Sequence, residues 1–172
     1  MARSHNVVHF HKNSLANLEK FPKCPDFTIS DGALDLYKQI QAIANEVFLR
    51  LGDCYREEIY TQALAYEIRT LGYEVETEVE CDVLYKDTVL GKIRADLVAK
   101  GENSFIIESK RLDYYKGVMQ LVGYMKSLSV SVGFTIGFRK EGAKVWCALA
   151  DDEGIMYMYD GTTVRKILCT GE

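Results

Sequence analysis

The sequence predicts an α/β or α+β domain, one β-sheet flanked by helices. Three observations carry this reading. Two segments, near residues 30–52 and 56–71, repeat apolar residues every three to four positions. From residue 73 the period drops to two. A third helical segment, near 113–128, then separates the first strands from the rest. The order is αα-βββ-α-β-βββ.

Residues 1–29 read as an N-terminal arm. It holds both prolines, Pro22 and Pro25, and all three histidines, His5, His9 and His11. No cysteine or carboxylate lies close to the histidines to complete a metal set, so they read as polar surface. Ser30 or Asp31 can cap the first helix, whose apolar stripe is Leu36, Ile40, Ile43, Val47 and Leu51, with Gly52 as its stop. The second helix carries Ile59, Ala63, Leu64, Ile68 and Leu71 on its apolar side and ends at Gly72.

The stretch "YEVETEVECDVLY" alternates Val75, Thr77, Val79, Cys81, Val83 and Tyr85 with Glu74, Glu76, Glu78, Glu80 and Asp82. That is a half-exposed strand with one solvated acidic face. Lys86-Asp87 turns the chain into a strand over 89–99, and 101–103 turns it again into "SFIIESK". The third helix has Val118, Leu121, Val122, Met125 and Leu128 apolar. "VGFTIGF" is apolar enough for a buried central strand. "KVWCALA", "GIMYMYD" and "TTVRKIL" follow as strands, the last two joined by a hairpin signal at Asp160-Gly161. The main domain is expected over 30–150, with 151–172 as a C-terminal β-hairpin extension of it.

A chain of 172 residues with 48% hydrophobic residues fits one domain with a real core. A net charge of −4 argues against coating nucleic acid by bulk charge, while leaving room for a local basic groove. The five cysteines are scattered and form no C-x-x-C pair, so neither a zinc site nor a disulfide framework is expected. The start lacks the apolar run of a signal peptide, and no stretch is long enough to span a membrane. A soluble intracellular protein is the expectation (cytoplasmic, nuclear or virion-associated, and not secreted).

The stretch "IRADLVAKGENSFIIESK" carries the chemistry. Centring its turn on Glu102 sets Asp96 opposite Glu108 and Arg94 opposite Lys110. Strand side chains alternate, so these four emerge on one side. Ile93, Ala95, Leu97, Phe105, Ile107 and Ser109 then take the core side. Facing carboxylates repel across a strand pair and need compensation. Arg94 and Lys110 supply some of it, as in a structural ion-pair cluster. A divalent cation, Mg²⁺ or Mn²⁺, held by Asp96 and Glu108 would supply more. With Lys110 beside it, and the Ser109 carbonyl as a further oxygen, this is equipment for phosphodiester hydrolysis.

An Asp followed by Glu-x-Lys after an apolar run is the core motif of the PD-(D/E)XK nuclease superfamily. Residues 35–149 resemble its GxxExxxR protein family, on Gly52, Glu57, Tyr60, Ala63, Leu64, Glu67, Arg94, Ala95, Asp96, Leu97, Glu108 and Lys110. The Gly and Arg that name the family would fall at Cys54 and Thr61. The resemblance implies a restriction-endonuclease-like core with a central mixed sheet. It implies metal binding by Glu57, Asp96 and Glu108, with Lys110 as the catalytic lysine. "QLVGY" gives Gln120 and Tyr124, similar to the Q-x-x-x-Y pattern of RecB-like nucleases. These two share a helix face and, with Arg94, are candidates to contact nucleic acid.

Two functions follow. One is a Mg²⁺-dependent deoxyribonuclease. The other is a catalytically inactive nuclease-fold protein that binds nucleic acid or builds an assembly, such as a virion. "GIMYMYDG" as an edge strand would suit self-association into a homo-oligomer. Arg111, Lys116, Lys126, Arg139, Lys140 and Lys144 could track a phosphate backbone, or simply form a solvated surface.

Overall fold

The computed structural model describes residues 15–168. The three histidines and Cys169 lie outside the described residues. Helices α1 (Asp31–Leu51), α2 (Glu57–Thr70) and α3 (Tyr114–Leu128) pack on a seven-stranded sheet. Its strands are β1 (Glu74–Tyr85), β2 (Thr88–Lys100), β3 (Phe105–Lys110), β4 (Val132–Arg139), β5 (Gly142–Ala150), β6 (Met156–Tyr159) and β7 (Val164–Lys166). They lie in sequence order across the sheet. Only β3 and β4 run parallel, because α3 crosses between them; the other pairs are antiparallel. The mixed α/β sheet expected from the sequence is the one observed.

Each helix is built by its local chemistry. The Ser30 hydroxyl accepts the Ala33 N–H at the start of α1. Gly52, at φ 67°, lets the chain leave α1 in a conformation that costs a side chain energy. Leu36, Tyr37, Ile40, Ala44 and Val47 face the sheet. The second helix is rotated from its expected setting. Ile59 and Leu71 are 45% and 48% exposed, while Tyr60 is fully buried and stacks on Phe138 at 4.3 Å. An aromatic ring removes more apolar area from water than Ile59 would, so burial favours this rotation.

Helices α1 and α2 cover one face of the sheet over Leu97, Ala99, Phe105, Ile107, Phe134, Ile136 and Phe138. On the opposite face α3 packs over Ala95, Val98, Ile106, Trp146 and Ala148. The acidic residues of β1 are exposed, and three of them pair with Lys92, Arg94 and Lys100 of β2.

Two further expectations need correction. Ile93 and Ala95 do not share a layer with Leu97. They pack with α3, whereas Leu97 and Ala99 pack with α1 and α2, so the alternation of β2 breaks at Asp96. Opposite Asp96 on β1 stands Glu78, at φ 56°, the one position where the ladder between Thr77–Leu97 and Val79–Ala95 has no pair. A left-handed residue cannot continue a pleat, so the hairpin turns there.

The second correction concerns the sheet edge. β6 lies inside the sheet, between β5 and β7. The outer edge of β7 is covered by part of the arm: Cys24 N–H donates to the Val164 carbonyl, and Lys166 N–H to that of Pro22. Arg165 fastens the same segment through the Glu19 and Phe21 carbonyls. Leu18 and Phe21 are buried against the α3 layer. "GIMYMYDG" is therefore no free edge, and the apolar residues 18 and 21 belong to the core.

Candidate active site

The β2–β3 ladder pairs Leu97 with Ile107, Val98 with Ile106 and Ala99 with Phe105, the register expected from a turn at Glu102. Beyond Leu97 backbone pairing gives way to a side chain: Asp96 Oδ2 accepts the Ser109 N–H at 2.9 Å. Glu108 is next, 1% exposed. Its Oε1 lies 2.7 Å from Lys110 Nζ. Its Oε2 is buried and has no hydrogen-bond partner among the described residues. From the start of α2, Glu57 reaches across to β3. Its Oε1 accepts the Arg111 N–H at 2.9 Å, and its Oε2 stands 3.8 Å from Lys110 Nζ. An acid in the first turn of a helix is also favoured by the helix dipole.

Asp96, Glu108, Lys110 and Glu57 thus converge from three elements. Glu57, Asp96, Thr61, Gln62, Glu58, Glu78 and Arg94 line a cleft of about 150 Å³ beside them. Four of these seven are acidic and one is cationic, so the cleft favours a cation.

Electrostatics sharpen this. Burial pushes the Glu108 carboxyl up to about 7, and the nearby Asp96 charge adds to the rise against the opposing pull of Lys110. Burial also raises Asp96, and the Ser109 N–H and Lys110 oppose it. For Lys110, burial disfavours the charge, but the hydrogen bond and charge of Glu108 outweigh it and hold the ammonium above its ordinary value. Two desolvated carboxylates, one with an oxygen that no donor satisfies, fit a hard divalent cation. The fit involves Asp96 and Glu108 first. Among the described residues no three His, Cys, Asp or Glu side chains already stand at metal-binding spacing, and Glu57 is engaged by Arg111 and Lys110.

The other expected site residues fall as follows. Ser109 is fully buried; its N–H serves Asp96, and its hydroxyl meets Thr61 Oγ1 at 3.1 Å. Arg94 is exposed at the lip of the cleft, 3.8 Å from Glu78. Gln120 is partly buried, and its Oε1 has no partner among the described residues. Tyr124 is 5% exposed, so its ring offers no face for a base to stack on. Burial, then the Glu108 and Asp96 charges, raise the pKa of its hydroxyl.

Sequence reasoning missed Thr61, Gly117 and Thr135. A Cβ on Gly117 would stand 2.7 Å from Lys110 Cγ and 2.9 Å from Thr135 Cγ2. The absence of a side chain there lets α3 sit on the lysine stem. Thr135 is fully buried beside Glu108 in the parallel ladder, and it was visible as the one hydroxyl in the otherwise apolar run "VGFTIGF". Of the expected basic track, Arg139 lies over the Tyr114 ring and Lys144 over that of Trp146, while Arg111 donates to the Asp53 carbonyl. These cations are tied to local partners.

Comparison with known proteins adds the lineage. No curated protein matches the sequence. One solved structure, the crystal structure of SSO0001, is similar over 80% of this chain and 74% of that chain, at 20% identity and a TM-score of 0.35. Residues 34–147 match the family model of the PD-(D/E)XK nuclease superfamily. That span runs from α1 to β5 and contains every residue of the cleft. More than half of the sequence is covered, with the Asp, Glu and Lys of the motif gathered at one place: the chain belongs to the PD-(D/E)XK nuclease superfamily.

Proposed function

We propose that this protein is a divalent-metal-dependent nuclease that hydrolyses phosphodiester bonds in DNA. The observation that carries the reading is the meeting of Asp96, Glu108 and Lys110, with a buried Glu108 oxygen that no donor satisfies. Within the superfamily, the retained Glu57 and the Leu-Gly turn before it support a place near the GxxExxxR group.

Asp96 and Glu108 would hold Mg²⁺ or Mn²⁺, with the Ser109 carbonyl as a further oxygen. Bound there, the ion supplies charge neutralisation at the phosphorus and a lowered pKa for water. Lys110 keeps its proton at neutral pH, so its part is to orient the attacking water and stabilise negative charge as it develops. Glu57 holds Lys110 from the other side. Arg94, exposed at the lip, meets the phosphate backbone, and Gln120 approaches from α3. The acidic lining repels a polyanion until cations are bound, which ties substrate binding to metal.

The test is cleavage of labelled linear, circular and single-stranded DNA, with RNA alongside, in Mg²⁺, Mn²⁺ or chelator. Cleavage of DNA that chelator abolishes supports the proposal. Cleavage of RNA alone would correct the substrate. Binding of DNA without cleavage in any metal would favour an inactive nuclease-fold protein.

A further inference from the structure

Helix α2 and strand β3 meet through two hydroxyls. Thr61 Oγ1 and Ser109 Oγ lie 3.1 Å apart, and both residues are buried. Thr61 also lies 3.2 Å from the Glu57 carbonyl one turn earlier. Thr61 Oγ1 is placed to donate to both the Ser109 hydroxyl and the Glu57 carbonyl, and its one proton is shared between these two acceptors. The Ser109 N–H meanwhile serves Asp96 at 2.9 Å, and the Arg111 N–H serves Glu57 at 2.9 Å.

These contacts close a loop. Glu57 is joined to this region twice, by its carboxylate at Arg111, just past the end of β3, and through Thr61 at Ser109. Asp96 is joined to β3 at Ser109. Glu108 and Lys110 flank Ser109 on the same strand. One buried hydroxyl pair therefore links the helix that carries Glu57 to the strand that carries Glu108 and Lys110, next to the amide that holds Asp96. An unpaired hydroxyl buried at this junction would be costly, so the pair acts as a unit.

We propose that Thr61 and Ser109 are positioning residues: their hydroxyl pair sets α2 on β3 and thereby fixes Glu57 and Asp96 relative to Glu108 and Lys110.

The positioning claim rests on the proposed site only for its consequence, so its test begins without metal. Amide hydrogen exchange is measured in the full chain for wild type, Thr61→Val, Ser109→Ala, the double variant and Thr61→Ser. The brace predicts that Arg111 and Ser109 amides exchange about tenfold faster in Thr61→Val and Ser109→Ala. The double variant should be no faster than either single one, and Thr61→Ser should restore protection. Unchanged protection of both amides in Thr61→Val, or single effects that multiply in the double variant, would overturn the brace. Mn²⁺ titration of the same proteins gives the consequence: binding about tenfold weaker in the two single variants, with a melting temperature lowered most in Thr61→Val, both restored in Thr61→Ser. Lost amide protection with no Mn²⁺ binding by wild type would sink the nuclease reading and leave the brace standing.

Discussion

The Lys110 ammonium lies 2.7 Å from Glu108 Oε1 and 3.8 Å from Glu57 Oε2, with its side chain 15% exposed. This lysine neutralises an acid that is almost wholly out of water. Replacing it with methionine keeps the stem and removes the charge. Glu108 then takes up a proton more readily, which limits the cost of the lost pair to about 1–3 kcal/mol. Cleavage is expected to fall by about 10²–10³. Thermal unfolding and single-turnover rates measured on Lys110→Met check both figures.

The raised Glu108 pKa has a direction for stability. Folded Glu108 titrates near 7, against an ordinary value of 4.5. The folded state therefore binds more protons than the unfolded chain between these values. The contribution is fully present below about pH 4.5 and is lost as pH rises through about 7. Asp96 is shifted in the same direction. Without divalent ions the melting temperature should fall from pH 5 to pH 8, and Glu108→Gln should flatten that fall. Added Mn²⁺, by favouring the ionised pair, should raise stability most at the alkaline end. A melting curve in chelator that rises over this range would contradict the assignment.

Gly117 tests the packing beneath the lysine. Alanine gains about 1 kcal/mol of helix propensity over glycine. Its Cβ would come within 2.7 Å of Lys110 Cγ and 2.9 Å of Thr135 Cγ2, and neither neighbour is at an exposed end. Overpacking of this kind costs about 1–3 kcal/mol, so it outweighs the propensity. Gly117→Ala is expected to lose stability and to lower the cleavage rate more than the affinity for DNA. Denaturant unfolding with a rate and affinity comparison would show it.

How much of this was legible in the sequence depends on what each feature is made of. The β2–β3 register could be read, because turn residues at 101–103 and apolar runs on both sides leave one pairing. The solvated face of β1 followed from strict alternation. The break at Asp96 could not be read, because it rests on the backbone of Glu78, which nothing in the alternation marks. The rotation of α2 was missed because Ile59 and Tyr60 are adjacent and both apolar; only the sheet beneath decides between them. The cover over β7 is made of backbone hydrogen bonds at 22–24, and these have no side-chain pattern. Thr61 read as a departure from a motif and is a contact in the fold.

The arm gives a prediction far from the site. Phe21 is buried and stacks on Tyr115 at 6.0 Å, and its carbonyl accepts from Arg165. Phe21→Ala should cost about 3–5 kcal/mol and loosen the segment over β7. Faster amide exchange at Cys24 and Lys166, with the site intact, is the expected signature in hydrogen exchange.

The central claim is that the buried Glu108 carboxylate, with Asp96 and Lys110, makes a metal-dependent hydrolytic site. The most direct measurement compares DNA cleavage by wild type and Glu108→Gln, in Mg²⁺, Mn²⁺ and chelator. Glutamine keeps the shape and removes the charge. The account predicts cleavage by wild type in metal, none in chelator, and a loss of at least about 10²-fold in the variant at an equal or higher melting temperature. Cleavage undiminished in Glu108→Gln, or no cleavage by wild type of any DNA form in either metal, would contradict it.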